Sequence, residues 1–372
     1  MPMDDPQTLE LRTPHKGMPA FDDTGLPVSY FEFWPQHRFY PPLIVYWAWL
    51  SLRYGGTTLP TIANPTFPLG GWIGESKAEI FAAAGAYARS FIAPWCAVRK
   101  SSTLSPETAL ALAAQAGIQL PCIAKPDMGC RGVGVRRIRS AEELHSYIAG
   151  YPDNETIILQ KLIDHEAEAG IFYVRKPSEK QGRIISITLK YFPYVHGDGT
   201  STLEQLILKD RRAGKLAHIY LPRHSSRLDW VVPAGQPFRI AYAGSHSRGT
   251  IFRNGNSLVT PQMTEAFDRI ARDISEFHFG RFDVRFQDIE QLQRGEGFTI
   301  VEVNGAGAEA THVWDRNTTL WQAYRALMQQ YRLLWEIGAE NARRGFKPAS
   351  LGVMLEAYRK ETKLWAEYPM TE

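Results

Sequence analysis

Cysteine is scarce in this chain. Only Cys96, Cys122 and Cys130 occur in 372 residues, with no C-x-x-C pair among them. A disulfide framework and a thiolate zinc cluster are therefore excluded as its organising principle. The ten histidines offer no H-E-x-x-H or comparable ligand spacing. No Lys/Arg block or RNA-binding signature appears, and a net charge of +3 with pI near 8.6 is too mild to imply a nucleic-acid partner. The uncharged stretch Tyr40 to Leu52 has thirteen residues, short of the roughly eighteen that cross a bilayer. Internal repeats and low-complexity tracts are missing. The start, MPMDDPQTLELR, is acidic and holds no apolar signal region, so the expected setting is the reducing cytoplasm.

What is present can bury a large core, with 44% hydrophobic and 22% charged residues. Residues 1 to 28 read as irregular, and an aromatic block follows at 29 to 56. LPTIA (59 to 63) reads as a short strand, and GESKAEIFAAAGAYARSF (74 to 91) as one Ala-rich helix starting near Ser76. From 94 the pattern is strand PWCAV, helix SPETALALAAQAG, strand LPCIAK, a loop, strand GVGVRRI and helix SAEELHSYI. In the first of these helices Ser105 caps, Pro106 opens and Gly117 stops. Further strands are expected near 156 to 161, 169 to 175, 183 to 191, 237 to 243 and 249 to 259, the last with an Asn254-Gly255 hairpin signal. After Thr260-Pro261, the residues Met263, Phe267, Ile270, Ile274 and Phe277 recur every three or four positions, which predicts one buried stripe. The fold class is α+β.

Two segments carry chemistry. In GRFDVRF (280 to 286) and FTIVEVNGAGAEA (298 to 310), Glu302 and Asn304 share a strand face, and Asp283 lies between Arg281 and Arg285. Paired across the Gly295-Glu296-Gly297 turn, Asp283, Glu302 and Asn304 converge into an oxygen-rich cluster suited to Mg²⁺ carrying nucleotide phosphates. The bland alternative is a surface hairpin with solvated acids. In IAKPDMGCRGVGV (123 to 135), Lys125 closes a strand, and Gly129, Gly132 and Gly134 leave backbone N–H groups free to approach phosphate. No Gly-Lys-Ser/Thr follows, so it is not a Walker A loop; the glycines lead into a strand, so it is not a Rossmann fingerprint. Its bland alternative is a structural glycine hairpin. Cys130 in this loop reads as a small filler.

A lysine opening a helix (Lys77), a second lysine 48 positions later (Lys125) before a Gly-rich loop, and a distal D…E-V-N set together resemble the ATP-grasp superfamily of carboxylate-amine ligases, D-alanine–D-alanine ligase-like. The resemblance covers roughly residues 59 to 335. It implies two α+β lobes gripping ATP, with ATP and Mg²⁺ or Mn²⁺ as cofactors, and an amide formed from small-molecule carboxylate and amine substrates through an acyl phosphate. It also implies that Lys77 and Lys125 hold phosphates under the loop Gly129 to Gly134. TIILQKLIDHEAEAG (156 to 170) resembles the interlobe hinge: Gln160 stands where an acid is usual, the backbone of Lys161 and Leu162 would read adenine, and Glu166, with Glu168 as substitute, would bind ribose. Asp283, Glu302 and Asn304 match metal ligands. Arg281 matches the arginine that steadies the transferring phosphoryl, and Lys190 a lysine for the γ-phosphate.

The part GDG-x-ST of SITLKYFPYVHGDGTSTLEQLI (186 to 207) is similar to a loop of cyanophycin synthetase, which implies a lid around Asp198. Arg175, His246 and Arg248 are candidate donors to a substrate carboxylate, and Glu309 is placed to orient an amine. The implied divisions are 1–58, irregular and aromatic; 59–160, first lobe; 161–345, second lobe with lid and metal site; and 346–372, a helical tail. The chain departs from the family in having a shortened aromatic-rich region where a full Rossmann-like pre-domain is usual. In that region the apolar residues from Leu43 to Leu52 cover most of a helix circumference. Burial against the nucleotide lobe or a second subunit, as in a homodimer, is therefore expected in place of membrane contact. The alternatives within and outside this reading are a small-molecule kinase of the same fold and a nucleotide-binding regulatory protein without turnover.

Overall fold

The computed structural model describes residues 13–129 and 132–371. Cys130, read above as a filler, and the first twelve residues of the irregular start lie outside the described residues. Two antiparallel sheets dominate. The smaller, in the order β1-β4-β2-β3, is built from β1 (Trp95–Arg99), β2 (Cys122–Pro126), β3 (Arg136–Ile138) and β4 (Thr156–Lys161). The larger, in the order β11-β10-β5-β6-β9, uses β5 (Ala167–Val174), β6 (Arg183–Tyr191), β9 (Ile251–Asn254), β10 (Phe279–Phe286) and β11 (Phe298–Asn304). Between β6 and β9 in sequence, β7 (Tyr194–His196) and β8 (Pro237–Arg239) form a separate ribbon.

In chain order the helices are α1 (Gln36–Phe39), α2 (Pro41–Tyr54), α3 (Lys77–Ala82), α4 (Ala86–Arg89), α5 (Pro106–Gln115), α6 (Ala141–Ala149), α7 (Leu203–Lys209), α8 (Ala217–Arg223), α9 (Pro261–Arg272), α10 (Ile289–Gln293), α11 (Leu320–Arg343) and α12 (Leu351–Glu367).

The pleat of the larger sheet explains where its charges go. On β5 the odd residues Ala167, Ala169, Ile171 and Tyr173 join the core beneath α9, so Glu168, Gly170, Phe172 and Val174 take the opposite face. On β10 the same alternation buries Phe282, Val284 and Phe286 and turns Arg281, Asp283 and Arg285 the other way. The predicted stripe on α9 backs this sheet: the Phe267 ring stacks on Phe298 at 4.9 Å and lies 5.6 Å from Phe282. Each such ring contributes roughly 1.5–3 kcal/mol by burial. A bulge opposite Asp283/Val284 lets both Ile300 and Val303 face this core while Asp283 stays level with Glu302. β10 and β11 thus pair as anticipated, although α10 lies in their connection.

Several expectations are corrected. LPTIA is a 3-10 turn, Leu59–Ile62, and not a strand; Pro60 fixes φ and has no N–H for a ladder. The single helix at 74 to 91 is two, α3 and α4, because the Gly85 N–H bonds to the Asp273 carbonyl at 2.7 Å and draws the chain aside. Asn254-Gly255 is no hairpin: Gly255 has φ −104°, whereas a type I′ turn needs positive φ, and the chain passes into a 3-10 turn. The strand near 237 shrinks to Pro237–Arg239. Within the 346–372 segment, α12 packs on the smaller sheet, where Leu364 and Tyr368 join Leu144 and Tyr147 in its core.

The aromatic segment is only half buried. Leu43 and Leu50 of α2 pack in the core shared with α11, but Val45, Leu52 and Ile44 are 71%, 85% and 58% exposed. No helix among the described residues is long and apolar enough to cross a membrane.

Candidate functional site

A cleft of about 1190 Å³ opens between the two sheets, with α2 and α12 at its rim. On the smaller-sheet side, Ser76 caps α3 by accepting the Glu79 N–H at 3.2 Å, and its hydroxyl donates to Asp127 at 2.8 Å. Lys77, the first helical residue, is thereby locked against the loop: Nζ donates to the Gly129 carbonyl at 2.7 Å and lies 3.4 Å from Glu302. Lys125 projects from β2 and donates to Gln160 Oε1 at 2.8 Å and to the Val301 carbonyl at 2.9 Å. Burial among these neutral acceptors pushes its pKa down to about 8.

On the larger-sheet side, Lys190, Glu168 and Arg285 stand on adjacent strands in register. Lys190 Nζ is 2.9 Å from Glu168 and 3.2 Å from Asp283, and Arg285 is 3.2 Å from Glu168. Arg281 grips both oxygens of Asp283, at 2.8 and 3.2 Å, and donates to the Glu309 carbonyl at 3.1 Å. Burial opposes the charges here, but the partners outweigh it: Lys190 is held above and Asp283 below the ordinary range.

Most of the expected residues meet in this cleft. Lys77, Lys125, Gly129, Gly132, Gln160, Lys161, Leu162, Lys190, His246, Arg281, Asp283, Glu302, Asn304 and Glu309 all line it. Five do not. Gly134 takes φ +71° and donates its N–H to Thr371 at 3.1 Å. Glu166 turns away to Arg239 at 3.1 Å and Tyr194 at 2.6 Å, while Glu168, two residues on, lines the cleft. Arg175 follows the far end of β5, roughly 23 Å along the strand from Glu168. Asp198 is exposed and holds its own turn, accepting the Ser201 hydroxyl at 2.7 Å and the N–H groups of Ser201 at 2.6 Å and Thr200 at 2.9 Å; these bonds keep its carboxyl acidic. Arg248 sits in a 3-10 turn where its carbonyl accepts from Arg223.

For a hard dication the available donors are oxygens, as Mg²⁺ and Mn²⁺ require. Asp283 and Glu302 are cross-strand neighbours, and Asn304 lies 3.5 Å from Asp283. Asp283 is fully engaged by Arg281 and Lys190, so the donors open to the cleft are Glu302, its side chain 29% exposed, and Asn304. Among the described residues no three His, Cys, Asp or Glu side chains are grouped to hold a metal.

Sequence reasoning missed Glu75, which accepts the Gly305 N–H at 2.7 Å and whose pKa burial pushes up to about 8. Its position two residues before Lys77 was the only signal. It also missed Gly170, where a Cβ would stand 2.9 Å from Arg281 Cδ and 3.1 Å from Asp283 Oδ1. Tyr40 and Tyr331, whose hydroxyls donate to Glu309 at 3.0 and 2.9 Å, were missed too. Tyr331 lies in an ordinary helical stripe with Leu327 and Leu334, indistinguishable from core by spacing.

No protein-family model matches the chain, and no curated protein matches it. Among solved structures it is similar to a bifunctional glutathione synthetase from Pasteurella multocida, at 14% identity and TM-score 0.35, over 68% of this chain and 36% of that one. The matched part thus spans just over a third of that neighbour. A likeness this faint leaves the site geometry as the ground for function.

Proposed function

We propose that the chain is an ATP-dependent carboxylate-amine ligase of ATP-grasp type that forms an amide through an acyl phosphate and releases ADP and phosphate. The observation that carries this reading is the meeting, in one cleft, of three buried lysines, Lys77, Lys125 and Lys190, and the partly buried Arg281 with the oxygen donors Glu302 and Asn304. Such a charge pattern suits a polyphosphate whose terminal phosphoryl is to be transferred.

Lys77 and Lys125 hold the phosphates nearest the smaller sheet, and Leu162 with the backbone of Lys161 flanks the base. A substrate carboxylate oxygen attacks the γ-phosphorus while the bond to the ADP oxygen breaks. Arg281 and Lys190 face the charge that develops on the phosphoryl oxygens. An amine then attacks the acyl carbon, the carbon–oxygen bond to phosphate breaks, and the amine's proton passes to Glu309. Glu302 and Asn304 would hold Mg²⁺ or Mn²⁺, which would neutralise phosphate oxygens.

The test is product release from ATP with panels of carboxylates and amines, followed by ion chromatography and mass spectrometry. ADP and phosphate together with an amide mass are expected, in amounts that depend on the amine. Pyrophosphate would replace this mechanism with adenylation, and ADP release indifferent to amine would replace the ligase with a kinase.

A further inference from the structure

The cleft, at about 1190 Å³, exceeds the roughly 300–1,000 Å³ of a single ligand site, and its lining extends beyond the charged wall. Beyond that wall the rings of Trp47, Trp72, Tyr331 and Trp335 pack edge to face or tilted, with Trp47 at 5.1 Å from Tyr331, 5.6 Å from Trp72 and 6.0 Å from Trp335. At the inner end of this aromatic arm lies Glu309, next to the guanidinium of Arg281 that bonds its carbonyl. Among the described residues its carboxylate meets only the hydroxyls of Tyr40 and Tyr331, at 3.0 and 2.9 Å, and no lysine or arginine. At the outer end the lining is apolar and open to solvent: Ile44 on α2 and Leu351 and Tyr358 on α12 are 58%, 65% and 54% exposed.

A carboxylate that accepts from two tyrosine hydroxyls, and that no lysine or arginine among the described residues pairs, is complementary to an ammonium. An apolar trough leading from it to the surface is complementary to a chain carried by that ammonium. We propose that the aromatic arm binds an amphiphilic primary amine, with its ammonium on Glu309 and its aliphatic chain leaving between α2 and α12. This assignment rests on the ligase reading in that such an amine would be the acceptor, its nitrogen held beside Arg281. Exposure of Ile44 and Leu351 then has a use, because a chain longer than the arm continues across them.

Calorimetric titration of the full-length protein with butylamine, octylamine and dodecylamine, each below its micelle concentration, tests the arm without any turnover. Affinity is expected to rise about fourfold per methylene until the chain leaves the arm. Glu309→Gln should weaken octylamine at least tenfold, and Ile44→Asn, at a solvent-open position that spares the core, should weaken dodecylamine several-fold while leaving butylamine unchanged. Octanoate should bind at least tenfold more weakly than octylamine. Affinity independent of chain length, octanoate binding as well as octylamine, or an unaltered Glu309→Gln variant would each overturn the proposal. Intact amine binding with no binding of ATP would overturn the ligase reading alone; normal ATP turnover with no chain dependence would overturn the amphiphile alone.

Discussion

In the charged half of the cleft, Lys190, Arg281 and Arg285 answer to Glu168 and Asp283 at 2.8 to 3.2 Å, on three neighbouring strands. In the aromatic half, the Glu309 carboxylate meets only hydroxyls among the described residues, and the rings end at solvent. The first half is fixed by electrostatics within the sheet and tolerates no missing partner. The second is shaped by rings on helices and loops, with room and exposed apolar surface to spare. One half is thus suited to a ligand whose charge is the same in every substrate, the other to one whose bulk varies.

The largest break in this comparison should come from Asp283→Asn. Arg281 and Lys190 would lose their shared counter-charge, and removing one member of a buried ion network costs about 3 kcal/mol. Turnover should fall at least about 100-fold as well. Glu302→Gln, with its side chain 29% exposed, should lose similar activity but shift stability by less than about 0.5 kcal/mol. Urea unfolding beside steady-state rates separates the two; equal stability losses would show that the sheet network does not hold the fold.

Gly170→Ala comes next. The added methyl would press on Arg281 Cδ and Asp283 Oδ1, so we expect about 1–3 kcal/mol of destabilisation and a drop of about tenfold in turnover. A fully active variant would show that Arg281 can move without consequence.

The smallest effect should be a pH response of Lys125. With its pKa at about 8, most sites are protonated at pH 7 and few at pH 9, so nucleotide affinity should fall about tenfold over that span. Because the native pKa lies below the unfolded lysine value, the unfolded chain binds more protons between these values. Stability therefore rises with pH from about 8 to the ordinary lysine range. Flat calorimetric affinity from pH 7 to 9 would show a lysine of ordinary pKa.

Much of the charged half was legible because strand alternation and a lysine at a helix start are local signals. Asp283, Glu302 and Asn304 share a face by the pleat, and Ser76 caps the helix of Lys77 by its own side chain. What failed was set from afar. Gly85 breaks its helix through Asp273, and LPTIA folds as a turn beneath Gly338 of α11, where an added Cβ would strike Leu59. Glu166 and Glu168 differ by one pleat repeat, yet Arg239 claims the first and Lys190 the second. The aromatic half was read as burial because composition shows how apolar a helix is but not which neighbours cover it.

The segment from α12 to Thr371 approaches both elements proposed to hold phosphate. Glu361 accepts the Gly74 N–H at 3.1 Å, just ahead of Lys77, and beyond the helix Thr371 donates to the Gly132 carbonyl at 2.9 Å and accepts from Gly134. The approach to the first lysine and the glycine turn after the second therefore hang from one segment, ten residues apart. Holding that turn in place costs entropy when the protein folds, and that cost is not incurred again when a nucleotide arrives. The glycines let the backbone adopt its shape, and a threonine far along the chain keeps it there, so that preorganisation of the proposed phosphate site is a property of the C-terminal segment.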